Sequence, residues 1–161
     1  MKCLGNTSRA AGPMLEAELS IGSALDEISP VIDRLMLLIK KCDCAAGEEV
    51  NVEIALREAV ANAVLHGNKA APEKRVAIRC ECRIGSGVSI CVRDEGQGFD
   101  PDSVSDPTAI SNVESSHGRG IYLMRALMEE VHFERGGTEV HMQTGFKCKP
   151  KTLLAQKVSD R

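Results

Sequence analysis

A chain of 161 residues is long enough to bury one proper core, and its formal net charge of −3 offers no basic face for a nucleic-acid backbone. Aromatic residues make up 2% of it and Trp is absent, so the core falls to Leu, Ile, Val, Met and Ala, and no platform for stacking bases is expected. No run of about 18 apolar residues suggests a membrane span, and Met1 to Met14 lacks the apolar stretch of a secretory signal; a cytoplasmic protein is expected.

Residues 1–13 hold Gly, Asn, Ser and Pro without periodicity and read as a flexible lead-in. Met14 to Ile21 alternates loosely, as a first strand would. Ser29-Pro30 reads as a helix start, Ser at the N-cap and Pro in the first helical position, with Ile32, Leu35, Met36 and Ile39 following at helical spacing. After Gly47 a second helix is expected from about Glu48 to His66, burying Val52, Leu56, Val60 and Ala63 and stopping at Gly67. Arg75 to Ile84 and Val88 to Arg93 read as a hairpin. Residues 95–120 carry few apolar side chains, and a loop of that length in a small domain is usually functional. Gly120 to Glu130 turns helical, and Val131–Glu134 with Thr138–Gly145 reads as a closing antiparallel pair. The domain is thus expected over residues 14–146, with a polar tail at 147–161. Helices and hairpins alternate irregularly, which favours an α/β two-layer sandwich: a mixed, mostly antiparallel sheet covered by helices on one face.

The seven cysteines (Cys3, Cys42, Cys44, Cys80, Cys82, Cys91 and Cys148) are odd in number and come without an export signal, as free thiols in a reducing compartment would. Cys42-x-Cys44 and Cys80-x-Cys82 are spaced more tightly than usual zinc ligand pairs. In a strand, Cys80 and Cys82 share one face and serve as small hydrophobes.

Three polar islands interrupt this pattern. Glu58, Asn62 and His66 recur at i, i+4 and i+8, which places them on one face of the second helix. From Ala59 to Leu65 every other residue is Ala, Val or Leu, so Asn62 stands out; its amide oxygen suits Mg²⁺, and Glu58 one turn earlier can take a proton. Asp94-Glu-Gly-Gln-Gly-Phe-Asp100 follows an apolar strand, presenting a carboxylate at its end, with Gly96 and Gly98 permitting close approach of backbone. His117-Gly-Arg-Gly-Ile121 opens a helix, where amide groups, the helix dipole and Arg119 favour phosphate. Each motif alone is weak, and each has a plain reading as a solvated face, a turn or a glycine-rich helix entry.

Their order is specific. A helix with E-x-x-x-N, a strand ending in D-x-G-x-G, a loop, a G-x-G helix entry and Gly137-Thr-Glu-Val140 together resemble the ATP-binding fold of the gyrase, chaperone, histidine-kinase and MutL superfamily, from about Glu48 to Met142. Within it, the chain looks most like the anti-sigma-factor serine/threonine kinases, whose N-box Leu56 to Asn68 resembles closely.

The resemblance implies a Bergerat-type ATP-binding fold and a kinase that takes phosphate from Mg²⁺-ATP to a serine of a STAS-type anti-anti-sigma protein. Such a kinase also sequesters a sigma factor and is often a homodimer. It implies Glu58 as general base, Asn62 as Mg²⁺ ligand, and His66 and Asn68 near the site. Asp94 would accept from the adenine amino group, with Gly96 and Gly98 keeping that pocket open. Gly118, Arg119 and Gly120 would follow a lid over residues 101–117 and carry donors to the phosphates, and Thr138 would complete the adenine pocket near Asp94. Some family members carry a basic residue just before the second glycine motif, where this chain has Ser115, Ser116 and His117. The alternative is a non-catalytic, ATP-gated binding module that captures a partner; Glu58 favours the enzyme, because a pure binder needs no base. A detached histidine-kinase catalytic domain fits less well.

Overall fold

A computed structural model of the chain describes residues 14–45, 47–83, 87–103 and 118–145. The lead-in at 1–13, most of the lid at 101–117 and the tail at 147–161 lie outside the described residues, as do Ser115, Ser116 and His117.

In chain order the elements are β1 (Met14–Gly22), α1 (Ile28–Cys42), α2 (Glu49–Asn62), β2 (Arg75–Arg83), β3 (Gly87–Arg93), α3 (Arg119–Leu127), β4 (Glu130–Glu134) and β5 (Glu139–Gln143). The strands form one sheet in the order β1-β2-β3-β5-β4, with every neighbouring pair antiparallel. This is the expected α/β sandwich in its fully antiparallel form.

Strict alternation explains which face the helices cover. Val76, Ile78, Cys80 and Cys82 of β2, Val88, Ile90 and Val92 of β3, and Val140 and Met142 of β5 are buried, while the residues between them face outward. Against that inner face sit Ile32, Leu35 and Ile39 of α1 and Val52, Leu56 and Val60 of α2, all fully buried, as their helical spacing predicts. α3 packs beside α2 and contributes Met124. The thiols of Cys80 and Cys82 fill the core as small hydrophobes, and the described cysteines Cys42, Cys44, Cys80, Cys82 and Cys91 are all free.

Two helix boundaries depart from expectation. A short 3₁₀ turn at Leu25–Glu27 leads directly into α1 at Ile28, so Ser29 and Pro30 lie inside the first turn rather than at its cap. Pro is tolerated there because amides of the first turn have no partner within the helix. At the other boundary, α2 does not run as an α-helix to His66: from Ala63 to Gly67 it widens into a π turn, closed by Asn68 N donating to the Ala63 carbonyl at 2.8 Å. Among the described residues, no helix is long and apolar enough to cross a membrane.

Candidate nucleotide site

The π turn, the end of β3 and the start of α3 surround a cavity of about 720 Å³, within the range of small-molecule sites. The three polar islands, far apart in sequence, converge on it. Glu58, Asn62 and His66 line one wall, Asp94 and Gly98 another, Gly118, Arg119 and Gly120 a third, and Thr138 closes the end of β5.

The wall made by α2 and α3 is tight. A Cβ at Gly120 would stand 2.8 Å from Glu58 Oε2 and 3.0 Å from Asn62 Nδ2, so the entry of α3 lies close against this carboxylate and amide. Gly118, at φ 91°, is the N-cap, and the backbone amides of the first turn of α3 open at this spot. A carboxylate at the positive end of a helix dipole is well placed electrostatically.

Asp94 follows β3, and its backbone N–H donates to the Thr138 carbonyl at 2.9 Å, extending the β3–β5 ladder by one step. Its Oδ1 accepts from Gly96 N at 2.7 Å. Burial pushes the Asp94 carboxyl above its ordinary value, against the pull of the Gly96 amide and the Lys74 charge. The carboxylate fits only because Gly67, the last residue of the π turn, has no side chain: a Cβ there would land on the Asp94 carboxyl carbon. Gly98, at φ 76°, adopts a conformation that favours glycine and lies against the Gly136 carbonyl. Thr138 lines the cavity, but its hydroxyl donates to the Arg135 carbonyl at 3.1 Å, and its bond with Asp94 is made by backbone.

Asn68 supports the site from behind. Fully buried, it donates from Nδ2 to Ser23 Oγ at 2.6 Å and to the Arg75 carbonyl at 2.9 Å, while its Oδ1 accepts from Glu95 N at 2.8 Å. One side chain thereby ties the end of the π turn to the approach to α1, the start of β2 and the loop after Asp94.

Several cavity residues were assigned no role in the sequence motifs: Phe99 lies within the Asp94 to Asp100 island, and Phe133 and Lys74 lie outside all three. Phe99 and Phe133 meet edge to face at 5.4 Å and line the apolar side. In a chain with three Phe, their scarcity is the signal that could have marked them. Lys74 reaches the cavity from the approach to β2, and nothing local in the sequence points to it.

A family model for the histidine kinase-like ATPase domain matches residues 21–144. The chain belongs to this family, as the ordered motifs lead one to expect, and membership implies a site for ATP. Within it, the chain is similar to anti-sigma factors. It is 31% identical over 109 residues to an anti-sigma F factor of Bacillus cytotoxicus, across 65% of this chain and 74% of that protein. It is 30% identical over 120 residues to one of Geobacillus stearothermophilus, across 71% and 81%. A third, from Oceanobacillus iheyensis, is 27% identical over 142 residues, across 85% and 86%.

Proposed function

We propose that the protein is an anti-sigma-factor-type serine/threonine protein kinase that uses Mg²⁺-ATP to phosphorylate a serine of a STAS-type anti-anti-sigma protein, and that it sequesters a sigma factor. The observation that carries this reading is the contact of Glu58 and Asn62 with Gly120, where a potential base and a hard amide ligand meet the amide end of a helix. The cavity fits the nucleotide in its donor set. Asp94 is an acceptor in the half-buried part, Phe99 and Phe133 supply apolar wall, and the first turn of α3 supplies amide donors with Arg119 beside them.

In this reading Asp94 accepts from the adenine amino group. The amides at Gly118–Gly120 and Arg119 hold the phosphates, and Asn62 holds Mg²⁺, which neutralises phosphate charge when bound. Glu58 accepts the proton of the attacking serine hydroxyl as its oxygen bonds to the γ-phosphorus and the bond to the bridging oxygen of the departing ADP breaks. His66 and Thr138 bound the pocket. The protein works in the cytoplasm, where both partners reside.

Transfer of labelled phosphate from ATP to a STAS-domain protein tests this. Glu58→Gln keeps the side-chain shape but loses the proton acceptor, and the rate should fall by about 10²–10⁴ while ATP affinity changes little. Asn62→Ala should lose both affinity and rate. Full transfer by Glu58→Gln would refute the assigned base. No transfer by the wild type with any of several STAS partners, alongside ATP-dependent partner capture, would leave a nucleotide-gated binding module.

A further inference from the structure

The outer face of the sheet, opposite the cavity, carries a second cluster of reactive side chains. Cys91 on β3, His141 on β5 and His132 on β4 are direct cross-strand neighbours and form one row. Arg93, Glu139 and Glu134 form the adjacent row, two residues along the same strands and so on the same face. The two rows converge on one atom. His141 Nε2 lies 2.8 Å from Glu139 Oε1, 3.6 Å from Glu134 Oε2 and 3.8 Å from Cys91 Sγ.

Thiol, imidazole and carboxylate donors are gathered here within reach of one another. Glu134 and Glu139 are placed directly opposite each other, and this like-charged pair is offset by His132 and His141 beside Glu134 and by Arg135, Arg93 and His141 around Glu139. Glu139 is moreover 92% buried. Arg135 and Arg93 approach only its Oε2, at 3.0 and 3.9 Å, which leaves Oε1 turned to His141. The arginines therefore orient the carboxylate in the way outer-shell partners orient a metal ligand.

We propose that this face is a transition-metal site of the zinc class, in which Cys91 Sγ, His141 Nε2 and Glu139 Oε1 bind the ion and the fourth position is open to solvent and to Glu134. Sulfur, imidazole and one carboxylate oxygen are the donors zinc prefers, whereas Mg²⁺ and Ca²⁺ call for oxygen alone. Tetrahedral zinc sets its ligand atoms about 3.4–3.6 Å apart. The 3.8 and 2.8 Å separations around His141 Nε2 are thus within side-chain adjustment of that geometry. On binding, the Cys91 proton passes to solvent as the sulfur–metal bond forms, His141 coordinates through its neutral ring, and no electron moves. His132, stacked on His141 at 4.8 Å with rings nearly parallel, fixes the plane of the ligating imidazole. The site depends on none of the roles assigned to the cavity.

The full-length protein, stripped with a chelator and titrated with cobalt(II), provides the test. A single saturable site with a sulfur-to-cobalt charge-transfer band, displaced by zinc, is expected. The band should vanish in Cys91→Ser, and affinity should fall at least about tenfold in His141→Ala. Circular dichroism checks that each variant folds. If Cys91→Ser does not fold, maleimide labelling of Cys91 in the wild type, read by peptide mass, decides: it should slow when zinc is added. Absence of saturable cobalt binding, an undiminished band in Cys91→Ser, or labelling indifferent to zinc would overturn the proposal.

Discussion

Asp94 lines the cavity at some expense of stability. Its carboxyl is held above the ordinary value of 3.8 chiefly by burial, so the folded protein takes up the proton more readily than the unfolded chain. The associated stability is fully present below the unfolded pKa and is lost as pH rises through the folded one. Asp94→Asn lacks this loss. In the nucleotide-free protein, wild-type melting temperature should therefore fall relative to the variant as pH rises from the ordinary carboxylate value through the raised one, which thermal melts at a series of pH values would show. Nucleotide affinity should move the other way, weakening in the variant by about 1.5–3 kcal/mol for a lost charged hydrogen bond, as calorimetry can measure. An equal affinity would overturn the proposed contact of Asp94 with adenine. Asp94, Glu58 and Asn62 were legible in the sequence because each is a polar residue set in or just after an apolar run. Lys74 and Phe133 were not, because only the packing of distant elements brings them to the cavity.

Among the elements, the π turn lines the cavity and abuts Asp94, and the sequence concealed it. Ala63-Val-Leu-His-Gly67 has the apolar content of an ordinary helix end, and one residue of extra width leaves no mark on local periodicity. α1, α2 and β3 are readable because each buries one face with a regular period; the start of α1 differs from expectation because a 3₁₀ turn continues into it. The turn ends with Gly67 against Asp94, so Gly67→Ala should displace the carboxylate. Nucleotide binding should weaken by at least the cost of Asp94→Asn, and a variant that binds normally would show that the turn yields easily. Asn68, just beyond, makes three buried hydrogen bonds. Asn68→Ala strands their partners and should cost about 1–3 kcal/mol or more in denaturant unfolding.

At the scale of the whole molecule, α1 and α2 share one apolar layer with the sheet, and Leu56 is fully enclosed within it. Leu56→Ala should lower unfolding free energy by about 2–5 kcal/mol, because transfer and cavity costs add. The order of the strands also bears on how the chain reaches this state. β2 and β3 are consecutive and joined by a short link, whereas β1 meets β2 across the entire length of α1 and α2: the Arg79 guanidinium donates to the Glu16 carboxylate, 63 residues away. Closing so long a span costs entropy before any contact repays it. Assembly should therefore begin from the β2–β3 hairpin and α2, with β1 joining the edge last. Until it does, the outer edge of β2 is an unpaired strand able to pair with a second chain. Pulsed hydrogen exchange during refolding should protect β3 amides before those of β1, and raising protein concentration should favour aggregation in that interval. Nascent chains would face the same interval despite making β1 first, since its partner emerges from the ribosome only after both helices.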